Sequence, residues 1–193
     1  MQRSKFLIKS PAKRPTKKIT GDVHELKKCI RDVPNFPKEG ILFKDITTLL
    51  ANPTAFKRAI DLLVKKFSGQ RIDIVVGIES RGFIFGSVLA YKLGAGFVPV
   101  RKKGKLPYKT KSVTYELEYG SDTLEIHNDA IPPQSHVLIV DDLLATGGTV
   151  QAVIQLVKGF DARIAGVAFL VELTFLKGKE KLKGLPIYSI IEY

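Results

Sequence analysis

The segment Val137-Leu138-Ile139-Val140-Asp141-Asp142-Leu143-Leu144-Ala145-Thr146-Gly147-Gly148-Thr149 constrains this chain more than any other stretch. Its four leading apolar residues read as a buried strand. They deliver two adjacent carboxylates into a turn, and the turn opens a helix over Thr149 to Gly159 with Val150, Val153, Ile154 and Val157 inward. Ala145, Thr146, Gly147, Gly148 and Thr149 offer backbone N–H groups under little steric cover, with two hydroxyls, at a helix N-terminus. That arrangement is a cradle for a phosphate. Asp141 and Asp142 cannot serve the phosphate, because like charges repel. As exposed acids they match sugar hydroxyls or, indirectly, a divalent cation. A plain strand-to-helix turn would explain Thr149 but not paired acids beside Gly147-Gly148.

The rest of the chain alternates strand and helix around that turn. A first helix is predicted over Val23 to Arg31, with Asp22 and Glu25 spaced as a capping box. Pro34 and Pro37 end it and open a loop, Asn35 to Gly40. Phe56, Ile60, Leu63 and Phe67 recur as one apolar stripe on a second helix after Pro53. Ile72 to Gly77, Gly96 to Val100, Ile164 to Leu170 and Pro186 to Ile191 read as further strands, and Phe83 to Leu93 as a helix. Val113 to Tyr119 and Leu124 to His127 form a hairpin around Gly120 and Ser121. Short connections between strand and helix imply right-handed parallel βαβ units. The expected architecture is α/β, a mainly parallel sheet with helices on both faces. In such folds ligands bind beyond the carboxyl ends of the strands, where each motif singled out here lies.

Charge locates a second feature. The net charge of +12 comes from two short stretches. Residues 1–20 hold seven bases and no acid, residues 101–111 hold six bases and no acid, and the remainder carries 18 bases against 19 acids. A diffuse basic surface for nucleic acid is absent from that distribution. It predicts a basic, disordered tail over 1–20, a single domain over 21–193, and one concentrated polyanion site. Phe6 to Ile8 is too short for the apolar core of a secretory signal, whereas a basic, acid-poor organellar transit peptide stays open. Cys29 is the sole cysteine, which fits a reducing compartment or a protein that does not rely on cross-links, and the expected location is cytoplasmic. No apolar run reaches membrane-spanning length. His24, His127 and His136 are scattered, so no zinc cage is expected.

Gly77-Ile78-Glu79-Ser80-Arg81-Gly82 follows the Ile72 strand, and Arg81 can fork onto phosphate oxygens unless Glu79 claims it as a local ion pair. Arg101-Lys102-Lys103-Gly104-Lys105 crowds cations that an anion would relieve; a solvated charge run is the plainer reading. No G-x-x-x-x-G-K-[ST] or G-x-G-x-x-G pattern occurs, which disfavours nucleoside triphosphatases and dinucleotide enzymes.

The Val137 to Thr149 segment resembles the phosphoribosyl pyrophosphate motif of type I phosphoribosyltransferases. Asn35 to Ile46, Arg101 to Pro107, Tyr115 to Gly120 and Leu170 to Thr174 narrow the resemblance to the adenine phosphoribosyltransferase family, from about Asp22 to the C-terminus. The resemblance implies the type I phosphoribosyltransferase fold with a small hood segment, and transfer of ribose 5-phosphate from phosphoribosyl pyrophosphate to adenine, giving AMP and pyrophosphate in purine salvage. It implies that Ser80 and Arg81, with Arg101, Lys102 and Lys105 from a closing loop, hold pyrophosphate. Asp141 and Asp142 take the ribose, and Ala145 to Thr149 the 5′-phosphate. Leu42, Phe43 and Lys44 would read adenine through their backbone, with Phe43 and Leu173 sandwiching the ring; ordinary core packing is the alternative for those two side chains. Lys44 stands where many members carry Arg and Glu39 where proline is common, and a backbone contact survives both changes. Glu118 is the implied acid/base for the purine proton; a surface ion pair with the basic loop is its other reading. Mg²⁺, held mainly by substrate and water, and a homodimer are implied with the activity. Two alternatives stay open: transfer to hypoxanthine, guanine or xanthine, and a phosphoribosyl pyrophosphate-sensing regulator that binds nucleic acid.

Overall fold

The computed structural model describes residues 17–116 and 120–193. Helix α1 (Lys17–Lys28) leads into a two-stranded antiparallel hairpin, β1 (Arg31–Pro34) and β2 (Leu42–Asp45), then helices α2 (Thr47–Ala51) and α3 (Pro53–Phe67). The alternating part follows: β3 (Ile74–Ile78), α4 (Gly82–Leu93), β4 (Gly96–Lys102), the hairpin β5 (Thr110–Glu116) and β6 (Ser121–His127), then β7 (His136–Leu144), α5 (Gly148–Lys158) and β8 (Arg163–Glu172). Two short 3-10 turns, Thr174–Leu176 and Gly178–Leu182, precede β9 (Ile187–Glu192).

The main sheet runs β5-β6-β4-β3-β7-β8-β9. β4, β3, β7, β8 and β9 are parallel; β6 is antiparallel to β4, and β5 to β6. Its central strands are apolar at consecutive positions because both faces are covered. Val75, Leu138, Val140, Ala168 and Leu170 point into one core with α3 and α4. Their neighbours Val76, Val137, Ile139, Val167 and Phe169 point into the other with α5. The α/β sheet with helices on both faces is therefore as the sequence predicts. At the start of α3, the Asn52 side chain accepts hydrogen bonds from the backbone N–H of Thr54 (3.0 Å) and Ala55 (3.1 Å), with Pro53 fixing the first turn. No described helix is long and apolar enough to cross a membrane.

Three readings change. The first helix starts at Lys17, inside the stretch expected to be tail, and ends before Arg31. Asp22 is thus interior to it and caps nothing; its carboxylate pairs with Arg58 of α3, while Glu25 pairs with Lys28 at 2.9 Å. A tertiary partner has overridden the local capping pattern. Residues 1–16 of the expected tail lie outside the described residues. The segment around the Asn35 to Gly40 loop forms the β1–β2 hairpin, a small layer beside the main sheet. Finally, β7 does not stop at Val140 but runs on through both carboxylates to Leu144.

At the other end of the sheet, Asp73 joins three central strands. Its carboxylate accepts from the His136 backbone N–H (2.8 Å) and Arg71 Nε (3.1 Å), its carbonyl accepts from Gly96 N–H, and its own N–H donates to His136. The His136 N–H bond, then the Arg71 guanidinium, hold the carboxyl at about 2. A depressed carboxylate adds stability that is complete above its unfolded value of about 3.9 and fades as pH falls toward the folded value. The wild-type protein should therefore lose more unfolding temperature between pH 5 and pH 2 than Asp73→Asn, the two converging at the acid end. Thermal melts across that range check this, and parallel curves would contradict it.

Candidate active site

The carboxyl ends of β3, β7 and β8 converge on one cleft. β7 brings Asp141 and Asp142 side by side there, and Asp142 is only 4 % exposed. The sequence reading of two exposed acids therefore needs correction: strand pairing with β8 continues past them and carries Asp142 into the interior. Its carboxylate meets Arg81 Nε, at the start of α4, at 2.8 Å. Gly82 makes that approach possible, since a Cβ on it would come within 2.8 Å of the Val140 carbonyl and 3.0 Å of Asp141 Oδ1. Burial, then the Asp142 carboxylate, push the Asp141 carboxyl well above the usual carboxylate range. Burial also raises Asp142, against the lowering effect of Arg81. Arg81 is thus not the partner of Glu79.

Beyond the acids, Leu144 leads into the turn that opens α5. Gly147 takes φ +82°, and α5 has neither a side-chain cap nor an acid in its first turn. Its leading N–H groups point out of the helix unclaimed by side chains, and carry the positive end of the helix dipole. A polar pocket of about 70 Å³ lies there, lined by Asp141, Leu143 and the stretch Leu144 to Val150. The end of β5 leans on the same place, with the Thr149 hydroxyl 3.5 Å from Tyr115 Oη. Glu118 follows shortly after in the chain but falls in 117–119, outside the described residues.

The basic loop is braced by acids that its own composition concealed. Arg101 binds Glu79 through Nε (3.2 Å) and Nη2 (2.9 Å), and donates to the Lys105 carbonyl (3.1 Å). Glu79 also accepts the Lys102 N–H, and Arg101 with that bond holds its carboxyl below the usual range. Lys102 Nζ pairs with Asp122 at 3.0 Å, and Gly104 N–H donates to the buried Glu125. Ser80 is exposed at the turn between β3 and α4. Arg101 and Lys102 therefore stand beside the cleft already held by carboxylates that an incoming anion would have to displace or outbid.

The β1–β2 hairpin forms a further wall. β2 has one edge paired to β1 and, among the described residues, no strand on its other edge, leaving backbone groups open to a flat polar ligand. Leu42 is half exposed, and Phe43 is partly buried, with Phe36 edge-on at 5.1 Å and the Arg81 guanidinium 5.5 Å from its ring centre. Lys44 turns its side chain away from that role. It is 9 % exposed, its Nζ lies 2.6 Å from Asp32, and it sits 4.0 Å from the centre of the Tyr193 ring. Leu173, partly buried, donates its N–H to the Leu144 carbonyl (2.9 Å), so it stands next to the turn that opens α5. Asp45 pins the hairpin's base; Arg31, then Thr47 N–H, hold its carboxyl at about 2.

Sequence reading missed Glu79, Asp122, Asp32 and Tyr193 as supports, because each works through a partner distant in sequence. Cavity size would also mislead. A cavity of about 340 Å³, far larger than the one at the α5 N-terminus, lies between α1 and α3 and is lined by none of the residues placed in the cleft. Another of about 320 Å³ gathers Lys158, Lys181 and Lys183, yet offers no helix N-terminus and no carboxylate pair.

Known proteins are similar to this chain over most of its length. Residues 45–185 match the phosphoribosyl transferase domain family. The adenine phosphoribosyltransferase of Acetivibrio thermocellus is 61 % identical over 170 residues, covering 88 % of this chain and 99 % of that one. That of Acidobacterium capsulatum is 58 % identical, over 87 % and 93 %. Among solved structures, adenine phosphoribosyltransferase from Thermoanaerobacter pseudethanolicus is similar at TM-score 0.86 and 52 % identity, covering 89 % of this chain and 99 % of that one. The Saccharomyces cerevisiae enzyme, solved with an imino-altritol bisphosphate and adenine, is similar at TM-score 0.84 and 47 % identity, over 89 % and 99 %.

The turned-away side chain of Lys44 yields a test. Lys44→Met should cost about 1 kcal/mol through the lost Asp32 pair and Tyr193 stacking. Adenine affinity, resting on backbone, should stay within about threefold, less than 0.7 kcal/mol. Urea unfolding and calorimetric titration of adenine read the two effects; a large loss of affinity at unchanged stability would contradict the backbone assignment.

Proposed function

This chain belongs to the adenine phosphoribosyltransferase family, and from that premise we infer how its cleft joins adenine to phosphoribosyl pyrophosphate to give AMP and pyrophosphate. The observation that carries the reading is the uncapped, acid-free N-terminus of α5 directly beyond two adjacent carboxylates. One turn thereby offers N–H donors to a 5′-phosphate and acceptors to the ribose hydroxyls of the same molecule. The enzyme is a pentosyl transferase. The bond between the anomeric carbon and pyrophosphate breaks, a purine nitrogen bonds to that carbon, and the purine gives up a proton.

On this reading Ala145 to Thr149 bind the 5′-phosphate, and Asp141 and Asp142 bind the ribose. Their raised proton affinity favours a site completed by hydroxyl donors. Ser80, Arg81, Arg101, Lys102 and Lys105 receive pyrophosphate as the basic loop closes, exchanging the carboxylates Asp142, Glu79 and Asp122 for the substrate's oxygens. Leu42 to Lys44 meet the edge of adenine, and Phe43 and Leu173 its faces; a flat base favours two apolar faces and a few edge hydrogen bonds. Glu118 accepts the purine proton. Positioning of the two substrates supplies much of the rate.

Mg²⁺ fits this donor set. Among the described residues no three of His, Cys, Asp or Glu come together to cage a metal, whereas hard carboxylate oxygens stand beside the place of the pyrophosphate. When bound, Mg²⁺ neutralises the departing pyrophosphate, held mainly by substrate and water. A homodimer in the cytoplasm completes the proposal, resting on family membership and on the single cysteine.

Initial rates with each purine base under saturating Mg²⁺ test the acceptor: adenine should dominate, and comparable turnover of hypoxanthine or guanine would overturn its choice. Proton transfer by a placed side chain is worth about 10²–10⁴-fold. Glu118→Gln should therefore lower kcat and kcat/KM together by that order. Near-native turnover in this variant would return Glu118 to a surface ion pair.

A further inference from the structure

We propose that the turn from Lys177 to Lys179 buttresses the 5′-phosphate loop, with Lys179 acting as a positioning residue that reaches the loop through Gly178 and touches no substrate. The proposal rests on the phosphate assignment above. Its basis is a contact between two backbone segments with no side chain between them. A Cβ on Gly147 would lie 2.7 Å from the Gly178 carbonyl oxygen, and a Cβ on Gly178 would run into the Ala145 carbonyl oxygen and lie 3.0 Å from Leu144 Cδ1. Gly178 is buried, and Lys177 before it adopts a left-handed conformation at φ +53°, which turns the chain back toward the loop. The cradle for the phosphate is therefore shaped from behind by this turn as well as from within by Gly147.

What holds the turn in place is a lysine between two strand ends. Lys179 Nζ lies 2.6 Å from Glu172 Oε2 and 3.2 Å from Glu192 Oε1. Glu172 ends β8 and Glu192 ends β9, and the two face each other in the parallel register. Glu172 is 4 % exposed and also accepts the Ser189 hydroxyl at 2.7 Å. A buried carboxylate with so few partners is expensive to leave unpaired, so it fixes Lys179 firmly. The strand ends thus set where Gly178 sits, and Gly178 limits how far Ala145 to Gly147 can retreat. None of these side chains lines the pocket at the α5 N-terminus.

Calorimetric titration with ribose 5-phosphate reads the loop without requiring turnover, so failure of the catalytic reading and failure of the buttress remain separable. Gly178→Ala should weaken ribose 5-phosphate binding by about tenfold or more, the scale of one overpacked methyl, with adenine affinity within about twofold. Lys179→Met, which removes the anchor without overpacking, should weaken it in the same selective way, and Lys179→Arg should restore it. If Gly178→Ala does not fold, Lys179→Met and Lys179→Arg carry the test. In the KM-against-kcat split, phosphoribosyl pyrophosphate KM should rise while kcat changes little. Unchanged ribose 5-phosphate affinity in Lys179→Met, or an equal loss for adenine, would overturn the proposal.

Discussion

Two carboxylates adjacent in sequence, carried to the end of a buried strand, repel each other and resist losing water, and the cleft is organised around that cost. Burial raises the proton affinity of both Asp141 and Asp142, and the Asp142 carboxylate adds to the rise at Asp141. A carboxylate raised in the folded state subtracts stability as pH climbs through its folded value, so the pair is a burden near neutrality. Arg81 offsets part of it from the N-cap of α4, and Gly82 lets that helix come close enough for the pairing. A structure selected for stability alone would place apolar residues here. Keeping the pair makes sense where a sugar's hydroxyls complete the hydrogen bonding.

The same economy governs the positive end of the site. The α5 N-terminus is left uncapped although a capping side chain would stabilise the helix by about 1 kcal/mol. Arg101 and Lys102 of the 101–105 loop are held by Glu79 and Asp122, and Glu125 fixes the loop backbone at Gly104. These acids keep the concentrated charge from unfolding the loop, and they set a threshold: an anion gains the loop only if it binds the cations better than carboxylates do. Several closely spaced phosphate oxygens meet that condition more readily than a single charge.

How much of this could be read in the sequence follows from the range of the interactions. The sheet was legible because β-branched runs and one apolar stripe per helix are local patterns; Ile74 to Gly77 and the stripe Phe56 to Phe67 lie where they predict. The glycine turn into α5 was legible because its conformational demand falls on Gly147 and its neighbours within one short segment. Asp142 was misread as exposed because its burial depends on pairing with β8, which no local pattern reports. The capping box at Asp22 failed for a related reason: Arg58, more than thirty residues away, claims that carboxylate. The roles of Lys44 and Tyr193 were hidden in the same way, since a lysine in a strand announces neither a buried ion pair nor an aromatic partner at the far end of the chain.

The central claim is that one strand-to-helix turn holds the 5′-phosphate and ribose while the β1–β2 hairpin and Leu173 hold the base. A crystal structure with AMP and pyrophosphate tests it most directly. The account predicts the AMP phosphate within about 2.7–3.2 Å of the backbone nitrogens around Thr146 to Thr149. It also predicts ribose hydroxyls on Asp141 and Asp142, and adenine between Phe43 and Leu173. A phosphate seated instead on Lys158, Lys181 and Lys183, with the turn at the α5 N-terminus empty, would contradict it.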